Sequence, residues 1–349
     1  MRPVGAAKNW KVPEILTEAD LAAWLRLRDN ELEWFADLKR LGTKRADARL
    51  QHYNYRALAK PDGAMRLIEA PKGRLKVMQR KILTEILEMI PVHPAVHGFV
   101  KGRSIKTFAE PHAGKYVLLR MDLKDFFPTL GRAQIQAFFR TAGYPERVSD
   151  LLGGICTNST PRSVWALVDS SSAPCATFAA YQLYGKPHLP QGAPTSPALA
   201  NLCMYRADCR LSGLAQAAGA TYTRYADDLA FSGDRRFARG VSRFAAHVAA
   251  ILREEGFAVH HRKTRVMRRG VRQHLAGVIT NEHVNLARAE FDRLKATLTN
   301  CVRHGPQKQN RNRHPAFRSQ LEGRVAFVGM INPRKGVRLR KIFEHIQWE

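Results

Sequence analysis

Apolar residues fall at helical spacing toward both ends of this chain and in short β-branched or aromatic runs through its middle. Two short amphipathic helices are predicted between residues 15 and 41. Thr17 caps the first, Asp20 three residues on completes a capping-box pattern, and Leu21, Trp24 and Leu25 supply the stripe. Asn30 is the expected cap of the second, where Leu32, Phe35, Leu38 and Leu41 recur at spacing three. Residues 53–70 read as a hairpin, Tyr53 to Lys60 and Met65 to Ala70, about a Pro61-Asp62-Gly63 turn. A helix is predicted over 74–90, with Leu75, Met78, Ile82, Ile86 and Met89 on one side and Arg74, Lys76, Arg80 and Lys81 largely elsewhere. One face packs, and the other is free to lie on a phosphate backbone.

Further on, Tyr116 to Met121 predicts a strand that runs straight into Asp122-Leu123-Lys124-Asp125-Phe126-Phe127-Pro128. Residues 157–187, rich in Ser, Pro and Ala, read as a long surface insertion. The Gly and Pro spacing of Leu189 to Pro197 forces a tight loop into a helix, with backbone donors open to an anion or base. Thr223 to Ser232 reads as two short strands with Asp227 and Asp228 at their tip. A hairpin over Gln273 to Asn285 precedes a helix over 286–303 striped by Phe291, Leu294, Leu298 and Cys301. A polar basic loop over 307–314, a helix carrying Phe317, Leu321, Val325 and Val328 with Gly323 in its middle, and a basic segment over 334–346 close the chain.

Composition limits what this pattern can belong to. At 349 residues and 45% hydrophobic content the chain suffices for two or three lobes, each with a core. Lys and Arg total 57 against 30 Asp and Glu, a formal charge of +27. That field attracts polyanions, so a nucleic acid is the default partner and a membrane surface the weaker one. No apolar run approaches the roughly 18 residues that mark a bilayer span, and Met1 to Trp10 lacks the apolar core of a signal peptide, so a cytoplasmic protein is expected. Cys156, Cys175, Cys203, Cys209 and Cys301 form no CxxC pair and no cluster with histidines, so reduced structural thiols are expected.

The adjacent Asp227 and Asp228 repel each other unless cations neutralise them, and hard carboxylate oxygens suit Mg²⁺. Two such ions, about 3.5–4 Å apart, clamp the attacking and leaving oxygens of a phosphoryl transfer. The plainer alternative is a surface turn with two solvated aspartates. Asp122, at the end of an apolar run, is placed to join the pair at a sheet rim, and Asp125 is a further candidate with an equal claim to a structural role. Lys60 and Arg66 flank the first hairpin turn within reach of a triphosphate, and also read as a solvated strand face.

Asp122 with Phe126-Phe127, then Gln191-Gly192-Ala193-Pro194-Thr195-Ser196-Pro197, then Tyr225-Ala226-Asp227-Asp228, resemble in order motifs A, B and C of reverse transcriptases, most of all the bacterial retron group. Lys60-Pro61-Asp62-Gly63 with Arg66 resembles that group's fingers hairpin, Gly102-Arg103-Ser104-Ile105 the stretch leading into its palm, and His260-His261-Arg262-Lys263-Thr264 is similar to motif D. The stretch Gly323 to Pro333 is also retron-like, so the resemblance covers roughly residues 50 to 349. Two signatures of the group depart: Asn-Ala-x-x-His reads here Phe108-Ala109-Glu110-Pro111-His112, and Val-Thr-Gly reads Leu275-Ala276-Gly277. Both are associated with the group's structured RNA, so they bear on the RNA partner more than on the chemistry.

The resemblance implies an α+β right-hand polymerase: an N-terminal helical extension over 1–49, fingers and palm over 50–285 with the 157–187 insertion, and a basic helical thumb over 286–349. It implies catalytic Asp122, Asp227 and Asp228, and a metal site of Asp122, Leu123, Asp227 and Asp228 for two Mg²⁺ ions, with Mn²⁺ as a substitute. Nucleotide contacts fall to Lys60, Arg66, Phe127, Gln191 and Lys263, with Phe127 either the aromatic gate against a 2′-hydroxyl or ordinary core. RNA contacts are expected from Arg74, Lys76, Arg311, Arg313, Arg338, Arg340 and Lys341. The implied function is RNA-directed DNA synthesis from dNTPs on a dedicated structured non-coding RNA that also supplies a priming 2′-hydroxyl. The product would be a branched RNA–DNA, made in antiphage defence with an accessory effector protein. Another bacterial reverse transcriptase, of abortive-infection or group II intron type, and a non-catalytic RNA-binding scaffold of the same fold are the alternatives.

Overall fold

The computed structural model describes residues 1–44, 49, 51–59, 65–168 and 181–348. In chain order it begins with helices α1 (Glu18–Leu25) and α2 (Asp29–Ala36), then strands β1 (Tyr53–Ala59) and β2 (Met65–Pro71) and helix α3 (Gly73–Glu85). Next come α4 (Ile105–Ala109), β3 (Val117–Lys124), α5 (Phe126–Thr129), α6 (Arg132–Thr141), α7 (Glu146–Cys156) and α8 (Arg162–Val168). The middle holds α9 (Ser196–Cys203), α10 (Tyr205–Ala217), β4 (Thr221–Tyr225), β5 (Asp228–Gly233), α11 (Arg235–Glu254), β6 (Ala258–Val259), β7 (Arg265–Arg268), β8 (His274–Leu275) and β9 (Val278–Ile279). Helices α12 (Arg288–His304), α13 (Pro306–Gln309), α14 (Phe317–Ile331) and α15 (Pro333–Glu344) follow. No helix among the described residues is long and apolar enough to cross a membrane, and Cys156, Cys203, Cys209 and Cys301 are free thiols.

These elements form two compact units: Met1–Pro94 with Leu123–Arg210 and Ala249–Val259, and Ala95–Asp122 with Leu211–Val248 and His260–Glu349. In the first unit the capping box of α1 is formed as expected. The Thr17 hydroxyl takes the Asp20 N–H at 3.1 Å, and the Asp20 carboxylate takes the Thr17 N–H at 2.9 Å. Helix α2 starts earlier than expected, on Arg28 and not Asn30, and stops at Asp37 in a left-handed turn (φ 40°), so Leu41 falls outside it and is exposed. Strands β1 and β2 pair antiparallel from Tyr53↔Pro71 to Ala59↔Met65, and the turn joining them lies outside the described residues. Helix α3 ends at Glu85, followed by a 3₁₀ turn over Leu87–Met89 that leaves Met89 exposed, where one helix was expected to reach residue 90.

The expected surface loop over 157–187 is corrected in its described parts. Asn158 exchanges backbone hydrogen bonds with His188, and Val164, Trp165 and Tyr184 are buried in a small cluster with Leu67. Large aromatic side chains bury whatever the Ser, Pro and Ala around them suggest, and this cluster ties the insertion onto β2.

The second unit is built on strands ordered β4-β5-β3-β7, all antiparallel neighbours. Val117, Leu118, Leu119 and Met121 of β3 are buried, and Arg120 between them is partly so. The core continues into the C-terminal helices: Phe108, Leu118 and Ala230 join Phe291, Leu294, Leu298 and Cys301 of α12, Leu321, Val325 and Val328 of α14, and Leu339 and Phe343 of α15. The stripe predicted for α12 is therefore its buried face. Helices α14 and α15 meet so closely that a Cβ on Gly336 would stand 2.3 Å from the Gly329 Cα. The hairpin expected over 273–285 is formed by β8 and β9, and turns on Ala276 and Gly277, both at positive φ (44° and 87°) as a two-residue type I′ turn requires.

Candidate active site

The two acids at the tip of the β4–β5 hairpin face a third on β3. Asp228 opens β5 and is the register partner of Asp122, while Asp227 lies in the two-residue turn between Tyr225 and Asp228. Directly opposed residues of an antiparallel pair project to the same side of the sheet, so Asp122 and Asp228 share a face. Asp122 is buried, and the Lys263 ammonium sits on its carboxylate, 3.2 and 3.3 Å from the two oxygens. The His260 N–H donates to the Asp122 carbonyl at 2.7 Å, so the residues after β6 are tied to the strand that carries the acid. Burial first, then the charges of Asp227 and Asp122, outweigh the lowering by Arg120 and Lys263 and push the Asp228 pKa up to about 6.

Three devices hold the hairpin tip, and none of them shows in the spacing of the motif. Arg224 is fully buried, donates to the Ala226 carbonyl at 3.0 Å, and has its own backbone paired with Ala95 and His97 at 2.7 Å each. Ala226 takes a left-handed conformation (φ 54°), and Gly98 approaches it so closely that a Cβ there would lie 2.6 Å from the Ala226 nitrogen. His112 bridges both strands, its Nε2 2.7 Å from the Thr223 hydroxyl on β4 and its Nδ1 2.6 Å from the Ser232 hydroxyl on β5. Thr223 spends its single hydroxyl proton on the Phe108 carbonyl at 3.0 Å, so it must accept from Nε2–H; on the neutral ring that burial favours, Nδ1 accepts from the Ser232 hydroxyl. Burial, with the charges of Lys115 and His97, pushes the His112 pKa down to about 3.

The remaining nucleotide-site candidates lie in the first unit, apart from Lys60, which is outside the described residues. Arg66 is exposed on β2. Phe127 is half-buried while its neighbour Phe126 is buried against Phe257, so Phe126 and not Phe127 is the core ring of the pair. Gln191 accepts the Glu69 N–H at 2.8 Å on its backbone carbonyl, and its buried side-chain oxygen has no partner among the described residues. Gly192 is at φ 131°, and a Cβ there would meet the Glu69 carbonyl at 2.9 Å, so the loop fits against β2 only as glycine. Asp125 adopts a left-handed conformation that ends β3 and opens α5. The Leu123 side chain is apolar and buried, which leaves only its backbone carbonyl as a conceivable ligand.

A second buried histidine fixes the loop that carries Gln191. His188 Nε2 lies 2.7 Å from the Glu69 carboxylate and Nδ1 2.7 Å from the Lys186 carbonyl. Both partners only accept, so both ring nitrogens carry protons and the pair is a buried imidazolium–carboxylate. Burial opposes this charge, but Glu69 and the carbonyl outweigh it, and the His188 pKa is raised. Asn158 and Thr160 each donate to the other Glu69 oxygen at 2.8 Å, so the buried carboxylate is fully engaged.

Of the expected RNA contacts, Arg74 is engaged locally, 2.9 Å from Glu31 and stacked over Phe35, and Arg340 pairs with Glu322 at 3.3 Å. Lys76, Arg311, Arg313, Arg338 and Lys341 are exposed.

Residues 58–302 match the family described as reverse transcriptase, RNA-dependent DNA polymerase. Over 333 residues the chain is 40% identical to the Retron Mx65 reverse transcriptase of Myxococcus xanthus, a match that covers 95% of this chain and 72% of that one. The chain belongs to the retron-type reverse transcriptases. This reverse transcriptase is also 37% identical over 342 residues to the Retron Mx162 reverse transcriptase of the same organism (92% of this chain, 66% of that one). To the Retron Ec86 reverse transcriptase of Escherichia coli it is 32% identical over 239 residues (68% and 66%). It is an RNA-directed DNA polymerase of α+β right-hand fold acting on a nucleic-acid template and primer, which sets aside the non-catalytic scaffold. Reverse transcriptases use divalent metal ions. Among the described residues no three Asp, Glu, His or Cys side chains stand ready-made as a metal shell. The donor set nevertheless suits a hard cation that keeps water and phosphate oxygens as its other ligands: Asp122 and Asp228 are register partners on one face of the sheet, and Asp227 precedes Asp228 in the turn.

Proposed function

We propose that this reverse transcriptase copies part of a dedicated structured non-coding RNA and primes from a 2′-hydroxyl of that RNA, giving a branched RNA–DNA. The observation that carries this reading is the 40% identity to a retron enzyme across 95% of the chain, with the carboxylate hairpin held as described above. Asp122, Asp227 and Asp228 would hold two Mg²⁺ ions, which when bound supply a lowered pKa for the primer hydroxyl and charge for the triphosphate. His112, Arg224 and Gly98 keep the Asp227–Asp228 turn in one conformation. Lys263 sets a positive charge beside Asp122. Gln191 would face the incoming nucleotide, Lys60 and Arg66 its phosphates, and the half-exposed Phe127 ring the C2 side of its sugar. The division into N-terminal extension, fingers and palm, and basic thumb is kept as the functional one, with Arg311, Arg313, Arg338 and Lys341 in contact with RNA. As the family resemblance suggests, the product works with an effector protein in antiphage defence.

The test is to sequence the nucleic acid that copurifies with the protein from its own host and to treat it with a 2′,5′-debranching enzyme. One RNA joined to DNA that separates only after debranching is expected. A mixture of unrelated cellular RNAs with no linked DNA contradicts the reading. Pull-down from phage-infected and uninfected cells tests the effector: one partner held with the RNA–DNA is expected, and none in either state contradicts its part.

A further inference from the structure

An arginine surface lies on the second unit, at the opposite end of its sheet from the catalytic acids. Helix α11 buries Phe237, Val241, Phe244 and Val248 on one side. At 100° per residue Arg235, Arg236, Arg239 and Arg243 all fall within an arc of roughly 100° centred opposite that side. All four are exposed.

The edge strand β7 extends this row. Gly233 pairs with Val117, and Val117 with Arg268, so Arg268 projects to the sheet face carrying Gly233 and Val117. That is the face α11 covers, since a Cβ on Gly233 would stand 2.7 Å from Phe237. Tyr116 joins the two elements: the Arg235 guanidinium stacks 5.3 Å over its ring, and the Arg269 N–H donates to its carbonyl at 2.8 Å. Arg268 and Arg269 are both exposed. Asp234, the acid that precedes α11, already accepts the N–H groups of Arg236 and Phe237 at 2.9 and 3.0 Å, capping the helix. Glu254, at the far end of α11, and Glu255 after it are paired with Arg206 and Arg210.

Six exposed cations set along one helix face and the adjoining strand end attract a polyanion across them. From Val117 to Asp122 is five residues of β3, roughly 17 Å at about 3.4 Å per residue, which is too far for the triphosphate of a nucleotide bound at the acids. We propose that this surface, α11 with the end of β7, holds the phosphate backbone of a folded part of the enzyme's RNA. It anchors the RNA away from the site where the template is read. This rests on RNA as the substrate and not on branched priming, so failure of either proposal leaves the other standing.

The experiment is a salt titration of binding to a fluorescent hairpin RNA of about 20 base pairs, long enough to cross the surface. It compares the full chain, the quadruple variant R236Q/R239Q/R243Q/R268Q, and a control of equal charge change, R2Q/K8Q/K11Q/R26Q, with circular dichroism confirming that all are folded. Each lost phosphate contact removes about 0.7–0.9 from the log–log slope, so a slope lower by about three is expected for the quadruple variant, with the control near the parent. The same slope in variant and parent, or an equal drop in variant and control, overturns the proposal. So does retention of RNA affinity by a quadruple variant that has lost binding to phosphatidylserine vesicles, because the surface would then serve a membrane.

Discussion

The two buried histidines stand in opposite charge states: burial among hydroxyls keeps His112 neutral, and the Glu69 carboxylate charges His188. His112 is neutral between two hydroxyls, its pKa pushed down to about 3, so the unfolded chain binds a proton there that the folded chain refuses. Its contribution to stability is therefore lost as pH falls from about 6.5 toward 3. His188 has the opposite sign: its pKa is raised by Glu69, so its contribution is present below its unfolded value and is lost as pH rises through the folded one. The parent's urea midpoint should fall more steeply than that of His112→Asn between about pH 6.5 and pH 4.5. Parallel profiles would mean that His112 is not held neutral. At Phe127, half-buried beside the core ring of Phe126, truncation to Ala should admit ribonucleotides, read as a drop in dNTP over rNTP selectivity in primer extension. Unchanged selectivity would make Phe127 a packing residue.

At the scale of elements, the asymmetry of the α14–α15 crossing is open to a direct test. A Cβ on Gly336 would stand 2.3 Å from the Gly329 Cα, whereas one on Gly329 would meet nothing nearer than 3.8 Å. Gly336→Ala should destabilise by about 1–3 kcal/mol through overpacking, and Gly329→Ala should be tolerated. Equal urea midpoints for the two variants would contradict this crossing. Periodicity carries the local part: the α12 stripe and the Thr17–Asp20 box were legible, as was the apolar strand that runs into Asp122. Arg224, Gly98 and the His112 bridge were not, because their partners lie far along the chain: Thr223 and Ser232 are 111 and 120 residues from His112. For the same reason Glu69 read as one more strand residue, although His188, 119 residues away, makes it a buried anion. Removing that partner strands a buried charge, so Glu69→Ala should cost about 3–5 kcal/mol in urea unfolding. A loss under 1 kcal/mol would mean that water already reaches the pair.

Over the whole molecule the +27 charge pointed to a polyanion without saying where it lies. Arg311, Arg313, Arg338 and Lys341 are exposed, while Arg74 and Arg340 are held by Glu31 and Glu322. The division by packing also departs from the linear one, because α12, α14 and α15 share a core with β3 and β5 that sequence order does not reveal. The central claim is that the carboxylates of the β4–β5 hairpin and β3 carry out RNA-templated DNA synthesis. It is tested most directly by dNTP incorporation on an RNA template with a DNA primer in Mg²⁺, comparing parent, Asp227→Asn and Asp228→Asn, with RNA affinity measured on the same preparations. The account predicts extension by the parent, background incorporation by both variants and unchanged RNA affinity, since the loss falls on the acids and not on the basic surfaces. Near-parental extension by either variant would contradict it.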